Sequence, residues 1–348
     1  MYSFKNDYSE GTHPRILEAL METNLEQEEG YGEDQYSLKA ADLLKKKIGR
    51  TDVDVHFLSG GTQVNMTAIA TFLRPHEAAV AAKTGHINVH ETGAIEATGH
   101  KVVVAESDQD GKLTPEAIQK VLDIHEDEHM VKPKLVYISD TTEVGANYTK
   151  KELEDLKTFC GEHHLILYLD GARLGSALTA KGNDLKLEDL PQLTDAFYIG
   201  GTKNGALIGE ALVISRQSLK EDFRYAMKQK GAMLAKGRLL GIQFLELFRD
   251  NLYFDLASHA NRMADKLREG IGEAGFGFLT HSTSNQIFPI LPNSLIAELQ
   301  QKYAFFIWAK ADEDHSSIRL VTSWATKEEK VNELIDDVKK SLKSSARN

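Results

Sequence analysis

Short runs of apolar and β-branched residues recur along the first two thirds of the chain, at 53–58, 78–82, 101–105, 134–139, 165–169, 196–199 and 211–215. They are too continuous for strands with one wet face, so they predict strands buried on both sides. Between several of them apolar positions return with helical spacing, as at 114–127 and 150–162. Thr114-Pro115-Glu116 opens the first of these with a capping hydroxyl followed by proline at the first helical position. Strands separated by helices imply a largely parallel sheet covered on both faces, hence an α/β fold. The pattern changes past residue 232, where helical stretches at 234–250 and 254–274 precede strand-like runs at 286–290, 305–308 and 318–321 and a last helix at 327–342. Strands and helices that do not strictly alternate suggest a smaller α+β unit. The expected organisation is a large α/β domain at 1–245, including the N-terminal segment, and a small α+β domain at 246–348.

The chain has 348 residues, with 52 acidic side chains against 41 basic ones and a net charge of −11. That sign argues against nucleic acid or an anionic membrane as a partner. The densest basic run, Lys45-Lys46-Lys47, reads as the solvated face of a helix. A single cysteine, Cys160, excludes an intramolecular disulfide and a cysteine-based metal site, and reads as a small helical residue. No apolar stretch approaches a membrane span, and the first residues lack a basic segment followed by an apolar one. A cytoplasmic protein is expected.

Open α/β sheets bind ligands beyond the carboxyl ends of their strands, and four segments stand there. Ser59-Gly60-Gly61-Thr62 follows a strand and opens a helix, where free N–H groups and a hydroxyl make an anion site. Asp170 ends a buried apolar run ahead of Gly171-Ala172-Arg173, and a carboxylate there needs a cationic partner. Lys203 sits in the glycine-rich turn Gly200-Gly201-Thr202-Lys203-Asn204-Gly205, a setting that suits a Schiff-base lysine. His86, in Thr84-Gly85-His86, can stack on a ring or move a proton. Taken singly, each has an ordinary explanation: a strand-to-helix turn, a helix-capping Asp, a solvated lysine, a structural histidine. Together they supply what a pyridoxal phosphate (PLP) enzyme needs: a lysine, an acid for the pyridine nitrogen, a phosphate cradle and a plate over the ring.

With those residues in place, the chain resembles the threonine aldolase family of fold-type I PLP enzymes. The resemblance is carried by Phe57-Leu58-Ser59-Gly60-Gly61-Thr62-Gln63-Val64-Asn65, by His86 with Glu91-Thr92-Gly93, and by Leu169-Asp170-Gly171-Ala172-Arg173. Thr202-Lys203-Asn204-Gly205 and Ile318-Arg319-Leu320-Val321-Thr322 complete it. The resemblance implies an aspartate-aminotransferase-like fold with a mostly parallel seven-stranded sheet. It also implies that Lys203 holds PLP, Asp170 pairs with its ring nitrogen, Gly61 and Thr62 bind its phosphate, and His86 stacks on its ring. Arg173 would lie near the ring oxygen and, with Arg319, hold the substrate carboxylate; Asn6 and Tyr31 would also stand near the substrate. Lys236 is the candidate for a basic residue reaching the phosphate of a neighbouring subunit, in a homodimer or homotetramer with shared sites.

The chain departs from the family pattern at Asn6, where serine is usual, and at Glu143, which takes the place of a histidine near the substrate hydroxyl. Glu143, His86 or a water could then be the base for that hydroxyl. The implied activity is cleavage of L-threonine or L-allo-threonine to glycine and acetaldehyde. The alternatives are a PLP lyase for another β-substituted amino acid, or a PLP-binding scaffold without catalysis. Finally, His125-Glu126-Asp127-Glu128-His129 matches a zinc-protease pattern but precedes Pro133 and lacks a third ligand, so no metal site is expected.

Overall fold

All seven apolar runs of the first two thirds are strands of one sheet in the computed structural model, which describes residues 1–345. Across the sheet they lie in the order Asp54–Leu58, Glu210–Ile214, Ala196–Gly200, Ile166–Asp170, Lys132–Ser139, Glu77–Ala82, Val102–Ala105. Glu210–Ile214 runs antiparallel to both of its neighbours, and every other pairing in the sheet is parallel. The α/β class and mostly parallel sheet expected from the pattern are the observed ones.

Continuous apolar strands arise because alternate residues enter different cores. Val136 and Ile138 join one apolar cluster with Leu44, Leu153, Leu167 and Phe197. Leu135 and Tyr137 join the cluster on the other face with Val64, Ala68, Tyr168 and Tyr198. Helices Gln35–Ile48 and Lys150–Glu162 are fixed at their starts by side-chain caps. Asp34 accepts from the Ser37 N–H, and Thr149 and Glu152 form a reciprocal capping box.

In the C-terminal third, Ile290–Pro292, His315–Val321 and Phe306–Lys310 form an antiparallel sheet that also takes in Gln286–Ile287. Helices Leu252–Glu273 and Glu328–Ser345 cover it through a core that includes Leu267, Ile271, Ile318, Leu320 and Leu334. Tyr2–Ser3 pairs in parallel with Tyr303–Ala304, and Phe4 enters this third core. The N-terminal strand therefore packs against residues that the sequence pattern places in the small domain.

Several boundaries differ from expectation. The helix expected at 114–127 ends at Ile124, where His125 leaves helical geometry and its Nδ1 pairs with the Val121 carbonyl. The strand expected at 286–290 is split around Pro289, which has no N–H to give a ladder. The helix expected from 234 starts at Arg238, and the Gly237 before it lies against the backbone of Gly32.

Among the described residues, no helix is long and apolar enough to cross a membrane.

Candidate active site

One edge of the large sheet collects the chemistry. Leu58, Ala82, Ser139, Asp170 and Gly200 are the last residues of parallel strands, and Glu210, first in the antiparallel strand, ends up beside them. At this edge the strands carrying Asp170 and the lysine turn approach very closely. A Cβ on Gly171 would stand 1.9 Å from the Tyr198 carbonyl oxygen, and one on Gly200 would stand 2.4 Å from that of Ala172. Only glycine fits at either position.

The anion site expected at Gly61 and Thr62 opens helix Gly61–Phe72, and no side chain caps that helix. Its first N–H groups are therefore left for a ligand. Gly61 itself lies against the Tyr198 hydroxyl, where a Cβ would be 2.9 Å from the oxygen.

Asp170 is buried and accepts four hydrogen bonds: from the Tyr137 and Tyr198 hydroxyls at 2.5 Å each, and from Asn65 Nδ2 and the Ala172 N–H at 3.0 Å each. Burial pushes its carboxyl up, but the positive field of His86 and the donors from Tyr137, Tyr198 and Asn65 outweigh it, so the group lies below its usual value. Asn65 Nδ2 also donates to Glu91 Oε1 at 2.8 Å, and the Tyr168 hydroxyl donates to Asn65 Oδ1 at 2.9 Å. Glu91 in turn accepts from Nδ1 of His86 at 2.8 Å, with its own side chain fully buried. Burial lowers the His86 pKa, but Glu91, Glu143 and Asp170 raise it above the usual histidine value. His86 and Asp170 are thus linked through Glu91 and Asn65 on one hydrogen-bond network.

Lys203 stands in the turn after Gly200, and burial followed by the nearby Arg173 holds its amine below the ordinary lysine value. Asp7, Glu143 and Asp170 oppose that shift without cancelling it. Arg173 gives Nε and Nη2 to the two oxygens of Asp7 at 2.7 and 3.1 Å, and Asn285 Nδ2 adds a third donor to Asp7 at 2.9 Å. Arg319 lies within electrostatic reach of Arg173, Asp7 and Glu143. Glu143 is buried at the loop after Ser139, lines a small cavity with Thr84, Tyr137, Ser139 and Tyr148, and lies within electrostatic reach of His86, Arg173 and Lys203.

The structure therefore brings Gly61, Thr62, His86, Glu143, Asp170, Arg173, Lys203 and Arg319 to one place. Asn6 is close in sequence to Asp7, but its side-chain oxygen accepts from the Tyr8 N–H and the Ser9 hydroxyl in its own turn. Tyr31 and Lys236 are not joined to this cluster by any contact among the described residues. The Tyr31 N–H donates to the Ala235 carbonyl, its ring carries Lys228 Nζ at 4.1 Å, and Lys236 is exposed next door. The His125-to-His129 pattern does not make a helical metal face, because the helix has already ended at Ile124.

Sequence reading gave no role to Tyr137, Tyr198, Glu210 or Glu91. The available signal for the tyrosines was a hydroxyl inside an aliphatic strand, which must find a partner when buried. Asp7 was legible only as a neighbour of Asn6, with no hint of its pairing with Arg173.

An open sheet ending in an acid, a lysine turn and an uncapped helix defines an enzyme of the aspartate-aminotransferase fold. A single mutant of Thermus thermophilus aspartate aminotransferase superposes with a TM-score of 0.72 at 16% identity over 98% of this chain and 91% of that one, a likeness of fold alone. The chain belongs to the beta-eliminating lyase family, whose model matches residues 5–292. It is 31% identical to the low specificity L-threonine aldolase of Pseudomonas aeruginosa, over 97% of this chain and 96% of that protein. The Leishmania major threonine aldolase structure superposes with a TM-score of 0.96 at 51% identity, covering 98% of this chain and 99% of the other.

Proposed function

We propose that this lyase is a PLP-dependent aldolase that cleaves L-threonine or L-allo-threonine to glycine and acetaldehyde. The observation that carries the reading is a buried lysine amine held below its usual pKa at the same strand edge as a carboxylate kept ionised by four donors. The residues present fit PLP: Lys203 for its aldehyde, Asp170 for its ring nitrogen, the free N–H groups at Gly61 with Thr62 for its phosphate, and His86 for its ring. When bound, PLP supplies an electron sink for the pair released as Cα–Cβ breaks.

The chain's own residues do the rest. Arg319 and Arg173 orient the substrate carboxylate, which sets the bond to be broken. Glu143 faces this group of cations and takes the β-hydroxyl proton as the aldehyde leaves. The amine of Lys203, less basic than usual because of burial, returns a proton to Cα to give glycine. Asp170 stays anionic throughout, because its four donors favour the charged form. A second copy of the chain contributes Tyr31 and Lys236, in a homodimer or homotetramer with shared sites. Relatives of this name at 31% identity, and a 51% identical structural neighbour, support the substrate assignment.

The test is acetaldehyde release from both threonine diastereomers by PLP-loaded protein, with Lys203→Ala and Glu143→Gln alongside. We expect release that vanishes in Lys203→Ala and falls roughly 100-fold in Glu143→Gln. Full turnover by Glu143→Gln would remove that residue as the base. Glu143 in place of the family's histidine favours one second reading, a lyase for another β-substituted amino acid. Glycine binding without acetaldehyde release from either substrate would select it.

A further inference from the structure

The two site arginines are held in place by different means. Arg173 has its Nε and Nη2 on Asp7, a bidentate pair that occupies one edge of its guanidinium. Arg319 has no carboxylate within ion-pair distance among the described residues. Its Nη2 donates to the Lys5 carbonyl at 3.3 Å, and its Nε is buried with no hydrogen-bond partner.

What holds Arg319 is aromatic. Its guanidinium carbon lies 5.3 Å from the centroid of the Trp308 ring and 5.5 Å from that of Phe306. The strands explain how both rings reach it. Phe306 is the register partner of Arg319 across the antiparallel pair, so the two side chains share a face. Trp308 falls where the register shifts between Ile307 and Ala309, the position of a bulge, and bulges re-aim side chains. The Trp308 ring is itself anchored edge-on against buried Phe288, with centroids 5.1 Å apart.

We infer that Trp308, assisted by Phe306, is a positioning residue that presents Arg319 to the substrate carboxylate. The inference rests on the proposed role of Arg319 and deepens it. A carboxylate holding this guanidinium would compete with the carboxylate it has to receive. An aromatic face attracts the cation without using any of its N–H donors. Arg319 is thus oriented while most of its donors remain free, whereas Arg173 is oriented by spending two of them.

The experiment measures glycine binding to the PLP-loaded enzyme by the change in cofactor absorption, together with kcat and KM for threonine. Trp308→Leu keeps apolar bulk and removes the π face; Trp308→Phe restores a ring. We expect Trp308→Leu to raise the glycine Kd and the threonine KM about tenfold with kcat within about twofold, and Trp308→Phe to recover most of the loss. Binding of 1-amino-2-propanol, an amine without the carboxylate, should be unchanged by either variant. Unchanged glycine binding in Trp308→Leu, with binding lost in Arg319→Gln, would overturn the platform and leave the carboxylate role of Arg319 standing. Unchanged binding in both would overturn that role as well. If Trp308→Leu does not fold, half-exposed Phe306 gives the same comparison through Phe306→Leu.

Discussion

Two buried carboxyls at one sheet edge are driven in opposite directions by their surroundings. Asp170 has four donors and lies below its usual value. Glu210 accepts from the Gly201 N–H at 2.9 Å and is pushed up to about 7, with burial as the main cause. Carboxyls set apart in this way keep separate protonation states near neutrality. The ordinary value for Glu210 is 4.5, so between that and about 7 the folded chain binds more protons than the unfolded one. Stability from this group therefore falls as pH rises through that window, and the loss is complete above it. Glu210→Gln removes the titration. The urea-derived stability of Glu210→Gln relative to the parent should improve by roughly 3 kcal/mol between about pH 4 and about pH 8. A difference that does not change with pH would show that folding does not raise this carboxyl.

At the scale of elements, the site depends on two strands whose ends nearly touch. Ile166–Asp170 and Ala196–Gly200 pair only at Tyr168 with Ala196 and Leu169 with Phe197, and beyond that Gly171 and Gly200 let the chains converge. That convergence brings the Tyr198 hydroxyl to Asp170 and sets the turn that carries Lys203. Gly171→Ala puts a methyl group into the Tyr198 carbonyl and should cost at least about 3 kcal/mol in urea denaturation, together with loss of PLP uptake. Gly161, near the end of helix Lys150–Glu162, has nothing within 4 Å of its would-be Cβ. Gly161→Ala should instead stabilise the protein by roughly 0.5–1 kcal/mol.

For the whole molecule, the loops bearing Tyr31 and Lys236 contact each other, away from the site they are assigned to serve. Large apolar side chains close by in sequence are exposed: Met21 at 79%, Leu25 at 92% and Leu38 at 55%. In the proposed assembly with shared sites, a second copy would cover side chains of this kind and bring Tyr31 to the partner's site. Shared sites make a definite prediction for mixed subunits. Lys203→Ala and Tyr31→Phe proteins, each inactive or impaired alone, should regain roughly a quarter of parental acetaldehyde release after unfolding and refolding together, since each hybrid dimer has one intact site. No regain on mixing, with dimers present, would place Tyr31 and Lys203 in the same subunit's site.

The apolar runs determined the strands, because a strand buried on both faces must be apolar throughout, and this is a local property. Strand ends determined where to look for chemistry, so Lys203, Asp170, His86 and the Gly61 turn were legible before any fold was known. Their partners were not. Tyr137 and Asp170, and Asp7 and Arg173, are pairs from separate parts of the chain, brought together by sheet register and by the packing of the N-terminal segment, while Phe306 and Arg319 meet through the register of two successive strands. In sequence the Tyr137 hydroxyl signals only that some partner is needed, not which one, and Trp308 resembles any other aromatic of a strand. The sequence by itself thus named the candidate groups. Only tertiary structure decided which way the basicity of each is shifted and which donors are left free to bind, because hydrogen bonding and burial are properties of the assembled site.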